Sequence, residues 1–147
     1  SPLGCIPYTT SGKDDAMYKI EKKDYGYLLT FSDFIRPEEM QAWLHESQTH
    51  LRTAPKNFGI FVDMRTLKPL APDSQIIMQE GQKLYQQNGM VRSVVVVSST
   101  IIKAQFTRIA KETGIYQWER YIDSSSNPNW ERTGVDWLTK GIDPDIK

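Results

Sequence analysis

The sequence predicts an α/β protein in which helices pack on one single-layer mixed β-sheet, in the order β-β-α-β-α-β-α-β-α. Three observations carry that prediction. Short aliphatic and aromatic runs alternate with helical-period segments of roughly a dozen residues or more, which implies crossover connections and a mostly parallel sheet. The first two strand signals instead follow one another across Lys22-Lys23-Asp24-Tyr25-Gly26. Gly26 can supply the positive φ of a hairpin loop there, so one antiparallel pair makes the sheet mixed. Val91 to Val97, with four consecutive valines, is the strongest strand signal in the chain.

Each element has a local reason. Met17 to Glu21 and Tyr27 to Phe31 form the hairpin strands. Pro37-Glu38-Glu39 opens the first helix, because proline suits its first turn and acids suit its positive end. Met40, Trp43, Leu44, Ser47 and Leu51 then recur at helical spacing. Phe58 to Asp63 is nearly continuous in apolar residues, as befits a strand buried on both faces. A second helix from Asp73 to Asn88 turns Ile77, Gly81 and Leu84 inward, with Gly89 as its C-cap. After Val97, Ser98-Ser99-Thr100 offers N-cap hydroxyls to a third helix whose face is Ile102, Phe106, Ile109 and Ala110, ending at Gly114. Tyr116 to Ile122 is a last, more polar strand that belongs at an edge. Asn127-Pro128 caps a final helix with Trp130, Gly134, Trp137 and Leu138 on its buried face, ending at Gly141.

The 147 residues suit one domain, assigned to residues 15–147, with residues 1–14 read as a flexible N-terminal arm or a remnant of cloning. Lys plus Arg number 18 and Asp plus Glu number 18, so the formal net charge is zero. That balance removes the long-range attraction to nucleic acid or to an anionic membrane, and the basic residues stand singly among acids. No apolar run approaches the roughly 20 residues of a membrane span. The single cysteine, Cys5, permits no intrachain disulfide and no cysteine-based zinc site, and it favours a reducing, cytoplasmic location. Leu3-Gly4-Cys5 superficially matches the end of a lipoprotein signal, but only four residues precede the cysteine and they contain no apolar stretch.

Signatures of catalysis are missing: no glycine-rich dinucleotide or phosphate loop, no G-x-S-x-G and no H-E-x-x-H. No cofactor and no metal are implied. The two histidines, His45 and His50, lie on the first helix and point roughly 140° apart, so they cannot share a metal. In open α/β sheets ligands sit beyond the carboxyl ends of the strands, near a reversal of strand order. Those ends supply Asp63, Met64, Arg65 and Thr66 after the third strand, and Ser98, Ser99 and Thr100 after the fourth. Together they could form a small polar site, with Arg65 holding an anion and the hydroxyls completing it. The alternative is local: Asp63 pairs with Arg65 while the serines cap the third helix, and each residue then has a sufficient task. Trp118, on the expected edge strand, faces either a partner or the core.

Phe61-Val62-Asp63-Met64-Arg65, Ala104 through Ala110, Trp118-Glu119-Arg120-Tyr121-Ile122 and the closing Trp137-Leu138 resemble the SpoIIAA-like, or STAS/SEC14-like, bacterial family. The resemblance spans Met17 to Gly141. It implies a four- or five-stranded mixed sheet flanked by helices, in a module that binds partners or ligands without catalysing a reaction. Anti-sigma-factor antagonists of this fold carry a phosphorylatable serine directly after an aspartate. Here Asp63 is followed by Met64, so that switch is not available at this position.

The expected function is therefore a non-enzymatic interaction module that docks on another protein or on itself, with a homodimer through the aromatic edge strand as one form. The rival is a carrier of a small apolar ligand, its pocket lined by Phe31, Met64, Phe106 and Trp118 with Arg65 near the mouth. A third reading is an enzyme with Asp63 as base and Arg65 as anion clamp.

Overall fold

The computed structural model describes residues 16–146; Cys5 and the N-terminal arm lie outside them. Its five strands are β1 (Tyr18–Lys23), β2 (Gly26–Asp33), β3 (Phe58–Leu67), β4 (Met90–Val97) and β5 (Glu119–Asp123). They lie side by side in sequence order. β1 and β2 are antiparallel, and every later pair is parallel. The helices are α1 (Pro37–Leu51), α2 (Pro72–Gln87), α3 (Thr100–Thr113) and α4 (Trp130–Lys140).

Crossovers of one hand that step in one direction across a sheet put their helices on one face. Accordingly, Met40, Trp43 and Leu51 of α1, Ile77 and Tyr85 of α2, and Ala110 of α3 share a core with Leu29, Phe31, Ile60, Val62, Val95 and Val97. The alternate strand residues Phe61, Val94, Val96 and Ile122 face the other way, onto Trp137 and Leu138 of α4. The valines of β4 thus alternate between two cores, as the continuous apolar run implies.

Packing is tightest where α1 meets α2. Trp43 lies edge-on to Phe31 at 5.2 Å and stacked on Tyr85 at 6.1 Å between ring centroids. A Cβ on Gly81 would stand 2.0 Å from Trp43 Cη2, and the ring has nowhere to go between Phe31 and Tyr85. Gly81→Ala is therefore expected to cost about 1–3 kcal/mol through overpacking. Urea unfolding checks it, and an unchanged midpoint contradicts this packing.

Several expectations need correction. β3 runs four residues past Asp63, so Asp63, Met64, Arg65 and Thr66 are strand residues. α2 buries Tyr85 where Leu84 was expected, and α4 begins at Trp130 behind Asn129. The last strand begins only at Glu119. Gly114 ends α3 in the left-handed conformation, and a single 3₁₀ turn over Ile115–Gln117 takes up the residues before Trp118. β5 does occupy a sheet edge, yet all five of its residues are buried. The inward side of α3 carries Ala110 with half-buried Lys103, Phe106 and Thr107, so Ile102 and Ile109 face outward with Ile101. α3 packs over β5 at the border of the sheet, where only a narrow strip of the helix finds anything to cover.

Candidate functional site

The carboxyl ends of β3 and β4 do come together. Between β2 and β3 the register jumps: Thr30 aligns with Asp63, but Ser32 aligns with Thr66, so β3 carries one extra residue. Such a bulge re-aims side chains. Here the Arg65 backbone N–H reaches Asp63 Oδ1 at 3.0 Å. The guanidinium chelates the same carboxylate, Nε at 3.0 Å and Nη2 at 2.9 Å. Its carbon sits 4.2 Å from the centroid of Trp130, the first residue of α4. The bond to Asp63 holds the Arg65 guanidinium above its ordinary pKa against the opposing effect of burial. Ser98 Oγ donates to the Arg65 carbonyl at 2.8 Å and ties the end of β4 to the end of β3.

Neighbouring hydroxyls are equally engaged. Ser99 caps α3 by accepting from the Ile102 N–H at 3.2 Å. Thr100 Oγ1 donates to Asp123 Oδ2 at 2.6 Å. Asp123 also accepts from the Ser125 hydroxyl at 2.6 Å and its N–H at 2.9 Å, and from Ser126 Oγ at 3.2 Å. The Ser125 hydroxyl, then that of Thr100, holds the Asp123 carboxyl down at about 2. Thr66 is exposed beside Ser32 on β2.

The residues expected to line a ligand pocket are separated. Phe31 is enclosed in the core beside Trp43, and Met64 and Phe106 pack onto that same core. Arg65 lies across the sheet, against Trp130. Trp118 is half-buried beyond the 3₁₀ turn. The physical reason is the sheet order: because the strand order runs from β1 to β5 without doubling back, no crevice opens at a switch point. Two depressions among the described residues lie open to solvent. One lies beside Met17, Phe34 and Glu39, and another between the N-terminal halves of α1 and α2. His45 is exposed, while His50 lies 3.6 Å from Glu46 and edge-on to Tyr27. Among the described residues no three His, Cys, Asp or Glu side chains converge as metal ligands, and no helix is long and apolar enough to cross a membrane.

Two clusters escaped the sequence reading. Glu119 is buried at the start of β5 and, among the described residues, has no cation beside it. Ser93 Oγ donates to its Oε1 at 2.6 Å, and the Tyr121 hydroxyl donates to its Oε2. Burial pushes its carboxyl pKa up, against the pull of both hydroxyls. On the opposite face Arg120 is forked onto Asp143 at 2.9 Å and stacked between Tyr116 and Trp137. That clasp, with the bond from the Tyr116 hydroxyl to Asp145, seats the segment after α4. A strand reading Glu-Arg-Tyr-Ile-Asp signals charges on both faces, which marks a covered strand only when partners lie elsewhere in the chain.

No family model matches the sequence, and no curated protein is a match. The fold is similar to that of an uncharacterized protein of the DUF3478 family with a SpoIIAA-like fold, from Shewanella loihica PV-4. The similarity has a TM-score of 0.60 at 12% identity, over 82% of this chain and 91% of that one. The chain therefore has a SpoIIAA-like fold, a five-stranded mixed sheet with four helices among the described residues. At that identity the likeness speaks for the fold alone.

Proposed function

We propose that this chain is a non-catalytic, STAS-like interaction module, one domain over residues 15–147, that works by contact with a protein surface. One observation carries the reading: the polar groups at the carboxyl ends of the strands are used internally, while apolar side chains are left outside on α3. Asp63 is chelated by Arg65, and the hydroxyls of Ser98, Ser99 and Thr100 hold a strand end, a helix end and a loop. Both oxygens of Asp63 accept from Arg65, so the carboxylate is not free to act as a general base, and the guanidinium's charge is already met by that carboxylate. On α3, by contrast, Ile101, Ile102 and Ile109 are 71%, 39% and 48% exposed. Isoleucines at positions 102 and 109 lie one above the other along a helix, an apolar stripe of the kind that partners cover.

The test is co-purification from the native host with the wild-type chain and with an Ile102→Ser/Ile109→Ser double variant. Both substitutions are at exposed positions, so circular dichroism should be unchanged. A stoichiometric protein partner held by wild type and lost by the variant is expected. A small molecule released by denaturation, with no protein partner, would favour the carrier and overturn this reading.

A further inference from the structure

We propose that two copies of this chain pair through the free edge of β1, antiparallel and centred on Ile20, merging two five-stranded sheets into one. This rests on the interaction-module reading and adds a second contact surface, at the edge of the sheet opposite α3, whose partner is a second copy.

β1 stands at the end of the strand order and pairs only with β2 among the described residues. The Ser32 N–H donates to the Met17 carbonyl at 2.9 Å, in the register that sets Tyr18 opposite Phe31. Antiparallel ladders alternate, so the backbone groups of Lys19, Glu21 and Lys23 also turn toward β2. Those of Tyr18, Ile20 and Lys22 turn outward, where they need partners.

A two-fold antiparallel contact must join outward groups to outward groups, which leaves three central registers. Centred on Lys19, that lysine opposes its own copy. Centred on Glu21, the glutamate opposes its own copy and Lys19 opposes Lys23. Centred on Ile20, Lys19 opposes Glu21 twice, once on each side of the two-fold axis. Only this last register is complementary in charge, and it places those pairs at the non-hydrogen-bonded sites where side chains approach most closely. Lys19 and Glu21 already share a face, 3.8 Å apart within one chain. On the other face Ile20, which packs against the core, meets its copy, and Tyr18 meets Lys22. The outward groups of Tyr18, Ile20 and Lys22 are all satisfied in the same register.

Sedimentation velocity of the full chain, across a concentration series, tests the pairing. Wild type should dimerise, and K19E or E21K alone should weaken the dimer at least about tenfold, since each sets like charges opposite one another twice. An equal mixture of K19E and E21K should regain a dimer, because acids of one chain then face lysines of the other. Both sites are exposed enough for the variants to fold, as circular dichroism would show. A dimer indifferent to both reversals but lost in the Ile102→Ser/Ile109→Ser variant would overturn the β1 pairing while leaving the interaction module standing. A wild-type monomer at every concentration would overturn the pairing too, and a releasable small molecule bound to that monomer would overturn both.

Discussion

Gly26→Ala is expected to lose about 4 kcal/mol of stability from backbone strain and steric overlap combined, a large part of the margin of a domain this size. Gly26 begins β2 with φ +145° and is paired on both sides, with Lys23 across the hairpin and with Gly59 of β3. A Cβ there would stand 2.0 Å from the Gly59 carbonyl oxygen and 2.9 Å from its nitrogen. These are backbone atoms of a central strand, held on the side away from β2 by pairing of Gly59 with Arg92 of β4 and covered on one face by Leu138, so β3 cannot retreat. Gly114 provides the control. Its φ is +87° but, apart from its own neighbours in the chain, no described atom lies within 4 Å of its ideal Cβ, so Gly114→Ala should cost only about 1–2 kcal/mol of conformational strain. Urea titrations of the two variants separate the contributions. Equal midpoints would show that the approach of β2 to β3 is looser than described.

Glu119→Gln should stabilise the protein at pH 8 by about 2 kcal/mol, the order of cost of an unpaired buried charge, and by little at pH 4. Glu119 is 6% exposed, faces Ser93 and Tyr121, and has no cationic neighbour among the described residues. Its carboxyl pKa is raised by burial in the folded state, so the fold binds this proton more tightly than the unfolded chain does. The stability it contributes is complete below the unfolded carboxyl pKa and declines as pH rises through the folded value. Glutamine mimics the protonated form: its oxygen can accept from one hydroxyl and its amide can donate to the other. Asp123 and Asp143, whose pKa values are lowered, act in the opposite sense as pH falls, but both proteins share them and they cancel in the difference. A gap between wild type and Glu119→Gln that is constant from pH 4 to pH 8 would mean that Glu119 titrates alike in the folded and unfolded chain, as a solvated carboxyl does.

What could be read from the sequence is what local chemistry decides. The valines of β4, the Gly26 hairpin, the Pro37 helix start and the Ser99 cap each depend on residues within a few positions, and each stands where expected. The meeting of Asp63, Arg65 and Ser98 was also legible, because adjacent parallel strands end side by side. What was not legible depends on tertiary cover. The isoleucines of α3 have helical spacing whether or not anything lies over them, and the helix happens to sit at the border of the sheet. Glu119 reads as an exposed edge residue until Ser93 and Tyr121 are brought to it. Trp118 leaves the strand because Gly114 turns the chain into a 3₁₀ turn first, a choice made by one backbone angle.

Native mass spectrometry of the full chain, with Cys5→Ser to exclude oxidative cross-links, puts action through protein contact to its plainest test. It should give polypeptide masses with nothing added, with dimer present at the higher concentrations. A stoichiometric extra mass of a few hundred daltons, retained in gentle conditions and lost on denaturation, would contradict it and make the protein a carrier.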